Sequence, residues 1–567
     1  MDSGLRKVFL KADKFEKSNP PILKLILIGL LLLAILGFLA ISVTIDLEKE
    51  NFTTLTGPNF TVRGRKLKKG QVYEGIVYGR NTYFGRPSLV PLEGHVNATY
   101  AGNPCSPGGY KQTRTCLFLN IYRCNPGKTH KKEQVLVYVG TNRVRNSGVA
   151  DLVADVALDK YACKGCVLVS VNYRQSAFGY FTTGSENTGN NGIYDVKVAL
   201  EWIQNNIEHF GGNPKNITVF AAGDGARIVS LLARLPEAKG LLHQLILTSG
   251  SSFTPSSIRN FNEGFWSSWH FSKLVHCSDE ASWPKRTVPN NSLEIHNCLQ
   301  KASMNTLTML DEKIGPNALV QWPFILDEEL VRTELTTPEG NVGQSVPTLF
   351  LVCMNKGFYE GQFYRSEHVR KILQTINELK LNKFKFMVDY YIRQLTNEKS
   401  GRKMPGRWHH HQLIRRIRNN FEILGSALLE AQATASRDVL TYFIFISNRK
   451  KDNPYTSLTP LCLGEDLFDA VKSLQKKTRS QKIDYDENIA EIIMNFVIKA
   501  DPTLKDSRYL WPWYDPGSPD VITLNSGNQK IKIQSISKIE TADFWLCEAG
   551  KRYLNSTLPE FCNTRKN

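Results

Sequence analysis

Three short segments of the chain carry side chains whose types and spacing could do chemistry. Asp224 is flanked by two glycines, and a carboxylate with small neighbours at a tight turn could act as a nucleophile. Cys163 and Cys166 are separated by two residues, a spacing found in redox and zinc sites. The run His409-His-His411 offers imidazole nitrogens, which bind metals. What each group can do depends on the elements that place it.

Two of these segments favour a structural interpretation. Adjacent histidines do not converge on one ion, and no acidic residue lies close to the run at 409–411, which we interpret as an exposed basic turn. The Cys163–Cys166 pair is more typical of a structural bridge, with one of the two joined to Cys124. The sequence therefore predicts no metal and no cofactor.

The elements around Asp224 alternate between strand and helix. Short apolar runs that are typical of buried parallel strands occupy residues 135–139, 167–171, 217–220 and 244–248. Apolar residues at helical spacing predict helices over 195–210 and 225–235. This alternation predicts an α/β fold with a central, mostly parallel sheet and helices on both faces.

Several segments occur in an order that a known family shares. They are Thr115–Ile121, Val171–Gly179, Gly189–Asp195, Ala199–Ile207, Phe210–Pro214, Lys239–His243 and Ser249–Ser251. Together they resemble the type-B carboxylesterase, or cholinesterase-like, branch of the α/β-hydrolase fold, over about residues 65 to 550. The resemblance implies an α/β-hydrolase fold for this part of the chain.

The resemblance also locates the position of the nucleophile. In this family a serine in a G-x-S-x-G turn follows the strand that matches residues 217–220. Counting from Phe220, that position is Gly223, and a glycine cannot form an acyl-enzyme. An aspartate nucleophile at Asp224 would need a one-residue shift and a histidine base.

The other catalytic positions of the family are altered as well. The oxyanion loop has Asn142 and Arg143 where closely approaching glycines are expected. Phe358 occupies the position of the acid, and Glu360 could replace it only with a two-residue slip. Leu463 occupies the position of the histidine. Because these losses occur together, we expect that the chain is not an enzyme.

The first 50 residues predict a membrane anchor. Residues 25–45 carry no charge and, as a helix, would span about 30 Å, the thickness of one bilayer core. The run is longer than the apolar region of a signal peptide, and acidic residues follow it without a cleavage motif. Six Lys and Arg precede it, which predicts a type II orientation. We expect a cytoplasmic tail at 1–24, a transmembrane helix at 25–45, a stalk at 46–65 and a carboxylesterase-like ectodomain at 66–567.

Glycosylation motifs and cysteines agree with an extracellular C-terminal part. The six sequons beyond the span begin at Asn51, Asn59, Asn97, Asn216, Asn290 and Asn555. All eleven cysteines also follow the span, as an oxidising compartment would explain. We expect the plasma membrane, with the endoplasmic reticulum membrane as the alternative.

The family resemblance implies the disulfides Cys105–Cys116 and Cys277–Cys298. Cys547 also resembles a late cysteine of the family, but the usual partner near residue 425 is absent, so the third expected pair is Cys547–Cys562. Because eleven is an odd number, at least one thiol is free or intermolecular, and Cys353 in an apolar run is the best candidate. The sequence leaves open the connectivity of Cys124, Cys163, Cys166, Cys353 and Cys462.

The composition describes a basic protein with ample apolar material. Hydrophobic residues make up 41% of the chain, which excludes a mainly disordered protein. The formal charge is +18, and residues 365–418 contain 14 Lys and Arg against 4 Asp and Glu. This stretch is either a solvated helical face or a docking surface for an acidic protein or a sulfated glycan. The binding candidates are Arg407, Arg415, Arg416 and Arg418.

These features predict a non-catalytic, membrane-anchored member of the family. Such members, among them neurotactin, neuroligin and gliotactin, act in cell adhesion, so we expect cell-surface recognition of an extracellular protein or a sulfated glycan. Family members often pair through helices, so a homodimer is possible, and nucleic acid is not an expected partner. The alternatives are a pocket that binds a small molecule or lipid, and an endoplasmic-reticulum pseudoenzyme that escorts active esterases.

Overall fold

The structure is a computed structural model of the whole chain. It describes the residues that follow: 25, 28–35, 52–81, 84–103, 105, 116–125, 132–140, 154–184, 188–254, 258–259, 261–278, 292–314, 322–336, 345–354, 420–447, 485–508, 510–525, 530–539, 542, 544–549 and 559–562. Statements about contacts and absences below concern these residues.

A thirteen-stranded sheet forms the centre of the molecule, in the order β1-β2-β3-β7-β9-β8-β10-β11-β14-β15-β16-β17, with β6 beside β2. The strands are β1 Phe52–Thr56, β2 Phe60–Lys66, β3 Gly70–Val77, β4 Gly79–Arg80, β5 Ser88–Leu89, β6 Gly94–Asn97, β7 Phe118–Cys124, β8 Glu133–Val139, β9 Cys166–Val171, β10 Gly212–Ala222, β11 Gln244–Thr248, β12 Ile258–Arg259, β13 Phe324–Ile325, β14 Thr348–Met354, β15 Thr441–Ser447, β16 Asp520–Asn525 and β17 Lys530–Ser535. β4 pairs with β5, and β12 with β13, outside this sheet.

The middle of the sheet is parallel and its flanks are antiparallel. Strands β9, β8, β10, β11, β14, β15 and β16 pair in parallel, whereas β1, β2, β3 and β7 on one side and β17 on the other pair antiparallel. The parallel strands are short apolar runs because both of their faces are covered; every residue of β9 is buried. The predicted α/β architecture is confirmed.

Helices cover both faces of the sheet. They are α1 Ala154–Lys160, α2 Ser176–Tyr180, α3 Asn191–Asn206, α4 Asp224–Ala233, α5 Phe261–Leu274, α6 Ser292–Lys301, α7 Met304–Ile314, α8 Ser426–Ala435 and α9 Tyr485–Lys499. One core joins α3, α4 and α8 to one face, and a second core joins α1 and α9 to the other. Strand β8 contributes Val135 and Val137 to the first core and Leu136 to the second, as the two-residue period of a strand requires.

The segment expected to be a stalk belongs in part to the sheet. Residues 52–56 and 60–66 form β1 and β2, which pair antiparallel. In β2, Phe60, Val62 and Gly64 are buried and alternate with more exposed residues. The polar composition and the sequons suggested a linker, but this period-two pattern supplies a buried strand face. The folded part therefore begins before residue 66.

The expected membrane anchor lies mostly outside the described residues. Residues 28–35 are helical, and their leucine and isoleucine side chains are exposed. In the described part of the chain no helix has both the length and the hydropathy to cross a bilayer. A transmembrane helix at 25–45 therefore stays a prediction.

Candidate functional site

The turn between β10 and α4 has the backbone shape on which a side chain could be presented for chemistry. Strand β10 ends at Ala222, helix α4 begins at Asp224, and Gly223 between them has φ 57° and ψ −120°. Residues with a side chain rarely adopt this conformation, whereas glycine does so at little cost. The Gly223 N–H donates to the Thr248 carbonyl at 2.9 Å, which fixes the turn to the end of β11. The residue at the tip of the turn thus has a defined backbone and no side chain.

Two more glycines allow the backbones around this turn to meet. A Cβ at Gly225 would lie 2.2 Å from the Val139 carbonyl oxygen, at the end of β8. A Cβ at Gly250 would lie 2.1 Å from the Gly223 carbonyl oxygen. Neither distance is possible for a real Cβ, so these positions require glycine for packing. The ends of β8, β10 and β11 converge here because of them.

Asp224 follows the tip and is held in an ion pair. Its Oδ1 accepts from Arg227 Nη1 at 3.1 Å, one helical turn further on. The Arg227 guanidinium also lies 4.6 Å from the centroid of the Phe324 ring, a cation–π distance. Asp224 at the N-terminus of α4 is favourably placed for the helix dipole. These contacts support a structural role for the Asp224 carboxylate, as a partner of Arg227, over a nucleophilic one.

A buried tyrosine anchors the start of the loop where the oxyanion positions are expected. The Tyr173 hydroxyl donates to the Gly140 carbonyl at 2.8 Å. Burial raises the pKa of Tyr173 well above its ordinary value of 10.0, so the phenol stays neutral and keeps its proton. Gly140 directly follows β8 and precedes Asn142 and Arg143, which lie outside the described residues.

Behind α4 lies a buried cluster of one carboxyl group and three serines. Ser230 Oγ donates to Glu430 Oε1 at 2.7 Å, and Ser251 Oγ donates to Glu430 Oε2. Ser230 Oγ also lies 2.7 Å from Ser252 Oγ, and it accepts from the Ser252 N–H at 3.0 Å. Burial raises the pKa of Glu430 above its ordinary value, and the bonds from Ser251 and Ser230 and the charge of Arg234 oppose this shift.

Glu430 was not predicted from the sequence as a site residue. The available signal was one acidic residue in the otherwise uncharged helix Ser426–Ala435. A carboxyl group on a buried helix needs hydrogen-bond partners, and the cluster supplies them. It ties α8 to α4 and to the loop after β11, directly behind the turn at Gly223.

A buried ion pair was likewise not predicted from the sequence. Arg174 and Asp195 form two charge-assisted hydrogen bonds, of 2.8 Å from Nε and 2.7 Å from Nη2, and their side chains are 2% and 0% exposed. Arg174 Nη1 donates to the Gly85 carbonyl at 2.7 Å. The pair joins the segments 171–179 and 189–195, both of which carry the family resemblance. It orients the chain that leads to Tyr173.

The structure contains the three expected disulfides, and it joins Cys124 to one cysteine of the Cys163–Cys166 pair, as also expected. Cys105–Cys116, Cys277–Cys298 and Cys547–Cys562 are bonded, and Cys124 is bonded to Cys163. Cys166, the other half of the two-residue spacing, is a free buried thiol, and burial raises its pKa. The Cys353 side chain and Cys462 lie outside the described residues, so the expectation of a free Cys353 stays a prediction.

Three sequons can be placed. Asn59, Asn97 and Asn216 are exposed, and Thr99 Oγ1 donates to Asn97 Oδ1 at 2.9 Å within its own sequon. The other predicted positions lie outside the described residues. They are Phe358, Leu463, Arg407, Arg415, Arg416, Arg418, Asn51, Asn290 and Asn555. In the described part of the chain no group of His, Cys, Asp or Glu could hold a metal ion.

Comparison with known proteins places these features in a family. The model of the carboxylesterase family matches residues 50–545. The chain is 24% identical to the cholinesterase of Mus musculus over 458 residues, 76% of this chain and 72% of that protein. It is 29% identical to acetylcholinesterase-1 of Trittame loki over 269 residues, 45% of each chain. It is 40% identical to carboxylesterase 5A of Homo sapiens over 141 residues, 25% of this chain and 24% of that protein.

Solved esterase structures share the fold. The carboxylesterase EST55 of Geobacillus stearothermophilus superposes with a TM-score of 0.66 at 20% identity, over 87% of this chain and 99% of that one. A thermophilic pNB esterase superposes with a TM-score of 0.69 at 18% identity, over the same shares. At these identities the likeness shows the α/β-hydrolase fold alone.

Proposed function

The chain belongs to the carboxylesterase family, and from this premise we propose that it is a non-catalytic member that recognises partners at the cell surface. One observation carries the proposal. The turn at Gly223 keeps the backbone shape that would present a nucleophile, but its tip has no side chain. The retained scaffold supports a role in binding, and the missing group argues against covalent ester hydrolysis.

The residues beside the turn support this assignment. A nucleophilic Asp224 would have to be free to attack, yet its carboxylate is engaged by Arg227. The expected replacements Phe358 and Leu463 supply neither an acid nor a base by their chemistry. Without these groups the remaining backbone donors give only residual rate effects.

The proposed setting is the plasma membrane, with a type II anchor at 25–45. The apolar run and the basic residues before it support this topology. The described disulfides and the three exposed sequons fit an ectodomain in an oxidising compartment. This arrangement resembles neurotactin more than neuroligin or gliotactin, whose anchors are at the other end.

The proposed partner is an extracellular protein or a sulfated glycan that binds the basic stretch 365–418. Clustered positive charge raises the rate of encounter with an acidic partner and makes binding depend on salt. The arginines that we propose for binding are Arg407, Arg415, Arg416 and Arg418.

A cell-binding experiment tests the function. The full chain is displayed on cells, which are offered to unmodified cells and to extracellular matrix of the source organism. We expect saturable, salt-sensitive attachment that either a protease or a glycosaminoglycan lyase abolishes, and that enzyme identifies the chemical class of the partner. The variant Arg415→Glu, Arg416→Glu, Arg418→Glu should lose most of this attachment.

A matched variant controls for charge in general. Arg80, Lys239 and Lys301 are exposed and lie outside the basic stretch, so their simultaneous change to Glu removes the same charge. This control should attach like the unmodified chain. Attachment that survives reversal at 415–418 with equal surface display would contradict the assigned binding surface, and the absence of any attachment would contradict the recognition function.

A further inference from the structure

A group of lysines lies at the end of the sheet where the described chain enters it. Phe52, the first residue of β1, pairs with Arg65 in β2. The next residue, Lys66, ends β2, and Lys68 and Lys69 lie in the turn that leads to β3. All three lysines are exposed. The point of entry of the chain and this positive charge are therefore side by side.

The connection between α1 and β9 adds to the same end. The Lys69 carbonyl oxygen lies 3.4 Å from Cys163 Sγ, so the exposed Lys164 is next to the β2–β3 turn. A Cβ on Gly165 would lie 3.6 Å from Ile498 Cδ1, near the end of α9. Ile498 is 43% exposed although it is aliphatic. We call this surface, made of Lys66, Lys68, Lys69, Lys164 and Ile498, the basic end.

One lysine of the basic end has a carboxylate partner, since Asp159 pairs with Lys69. Among the described residues no carboxylate pairs with Lys66, Lys68 or Lys164. Exposed lysines around an exposed aliphatic side chain are the composition with which proteins contact a bilayer interface, because the ammonium groups meet phosphates and the aliphatic group meets the acyl boundary.

The distance to the bilayer is short if the proposed anchor is correct. Six residues, 46–51, separate the end of the proposed span from Phe52. Six fully extended residues reach at most about 22 Å. The basic end is therefore the part of the sheet that the anchor keeps closest to the membrane. Strand β9 begins at Cys166, beside the basic end, and β8 and β10 run parallel to it. The turn at Gly223 follows the end of β10 and therefore lies at the opposite end of the strands.

We propose that the basic end rests on the phosphate headgroups of the membrane in which the chain is anchored. This inference rests on the proposed anchor and adds an orientation to it. The basic end of the sheet then faces the bilayer, and the opposite ends of the strands, which carry the β10–α4 turn, are directed away from it. The partner is the lipid surface itself, recognised by its anionic phosphates and its apolar boundary.

Hydrogen exchange on the full chain tests this contact. The protein is placed in nanodiscs of phosphatidylcholine with phosphatidylserine, in nanodiscs of phosphatidylcholine alone, and in neutral detergent micelles. We expect the backbone amides of residues 66–69 to exchange at least about threefold more slowly in the phosphatidylcholine discs, whose headgroups carry the phosphates of an outer leaflet, than in micelles. The slowing should increase when phosphatidylserine is added and should weaken at high salt.

Three variants separate charge from folding. Lys66→Glu, Lys68→Glu, Lys164→Glu should lose the slowing in discs. The same three positions changed to Arg should keep it, and so should Arg80→Glu, which lies past the opposite end of β3. Equal exchange in discs and micelles, or equal slowing in the Glu variant, would overturn the contact.

The anchor is scored separately in the same samples. Retention of the chain on discs after an alkaline wash reports the anchor and not the contact. If the chain is lost from the discs, the anchor and the contact both fail. If it is retained without slowed exchange, only the contact fails and the proposed function stands.

Discussion

A single glycine decides what the β10–α4 turn can do. Gly223 accommodates a positive φ that a residue with a side chain would hold only with strain of about 1–3 kcal/mol. Proteins tolerate such strain at catalytic turns because the chemistry requires it. Here the strain is relieved and the nucleophile is absent. Its neighbours Asp224 and Arg227 neutralise each other in the helix that follows.

Gly223→Ser should therefore destabilise the protein without creating an esterase. We expect a loss of about 1–3 kcal/mol from the strained backbone. No turnover of p-nitrophenyl esters is expected, since Phe358 and Leu463 supply neither acid nor base. Denaturant unfolding and an ester assay measure the two effects.

A second positive-φ glycine provides the matched control. Gly240 has φ +83° and no atom within 4 Å of its missing Cβ. Gly240→Ser should thus show the backbone cost alone. Labelling of the Gly223→Ser variant by a fluorophosphonate would contradict the proposal that the chain is non-catalytic.

The buried Glu430 should make stability depend on pH. Its pKa is raised in the folded state, mainly by burial, so folding favours the protonated form. The stability it contributes is complete below the unfolded pKa of about 4.5 and is lost as the pH rises through the folded pKa. Glu430→Gln, which mimics the protonated form, should stabilise the protein at neutral pH, and this gain should vanish toward acidic pH in melting experiments.

A surface glutamate gives the opposite sign. The hydrogen bond from Lys132 lowers the pKa of Glu208, so its ionised form is favoured in the folded state. Glu208→Gln should bring no gain at neutral pH. A Glu430→Gln variant that is less stable than the parent at neutral pH would show that the serine bonds outweigh burial.

At the scale of elements, each face of the sheet depends on a few joints. The Arg174–Asp195 pair joins α3 to the end of β9, the Glu430 cluster joins α8 to α4, and Cys124–Cys163 joins β7 to the segment before β9. Removing one partner of a buried ion pair costs about 3–5 kcal/mol, because the other charge stays buried. The first two joints hold the surroundings of the β10–α4 turn in place although no chemistry is expected there, whereas the disulfide lies at the basic end.

The N-terminal strands should be required for folding. A chain that begins at residue 66 lacks β1 and most of β2, and with them the buried Phe60 and Val62. Burial of two such side chains contributes about 3–6 kcal/mol. We expect the chain 66–567 to be secreted poorly and to melt early, whereas the chain 47–567 should behave as a folded ectodomain. Equal yield and melting temperature of both would show that residues 47–65 are a stalk.

Some elements could be predicted from the sequence and others could not, for physical reasons. Strands such as β8 and β9 are buried on both faces over most of their length, so their sequences are largely apolar runs. Strand β2 is buried on one face only and contains charged residues, so its alternation of buried and exposed residues was not recognised in a segment of polar composition. Glu430 was missed because its serine partners come from distant segments that only the fold brings together. Gly223 was identified because residues 217–220 are a clear strand pattern, and the nucleophile position is counted from Phe220.

At the scale of the whole molecule, one sheet separates two apolar cores. The core that contains α3, α4 and α8 borders the β10–α4 turn, and the core that contains α1 and α9 borders the basic end. The strands join the two cores, because their side chains alternate between them. Disulfides in the described residues add covalent ties at the loops. Such ties are typical of proteins of an oxidising compartment.

The pairing of cysteines predicts how thiol chemistry acts on the molecule. Cys166 is buried and its pKa is raised, so N-ethylmaleimide should not modify it in the native protein and should modify it after denaturation. Replacing Cys124 and Cys163 together by Ser should cost about 2–4 kcal/mol in denaturant unfolding. Cys166→Ala, which breaks no disulfide, is the control and should cost less. Rapid modification of Cys166 in the folded protein would contradict this assignment.

The glycines beside the turn have a consequence for how such proteins change over evolutionary time. Gly225 and Gly250 are required because backbones meet there, whether or not a nucleophile stands between them. Selection for folding alone would therefore preserve the glycine frame of an esterase motif after its activity has been lost. A glycine-rich strand-to-helix turn therefore indicates common descent and close packing. Activity has to be inferred separately, from the residue at the tip of the turn.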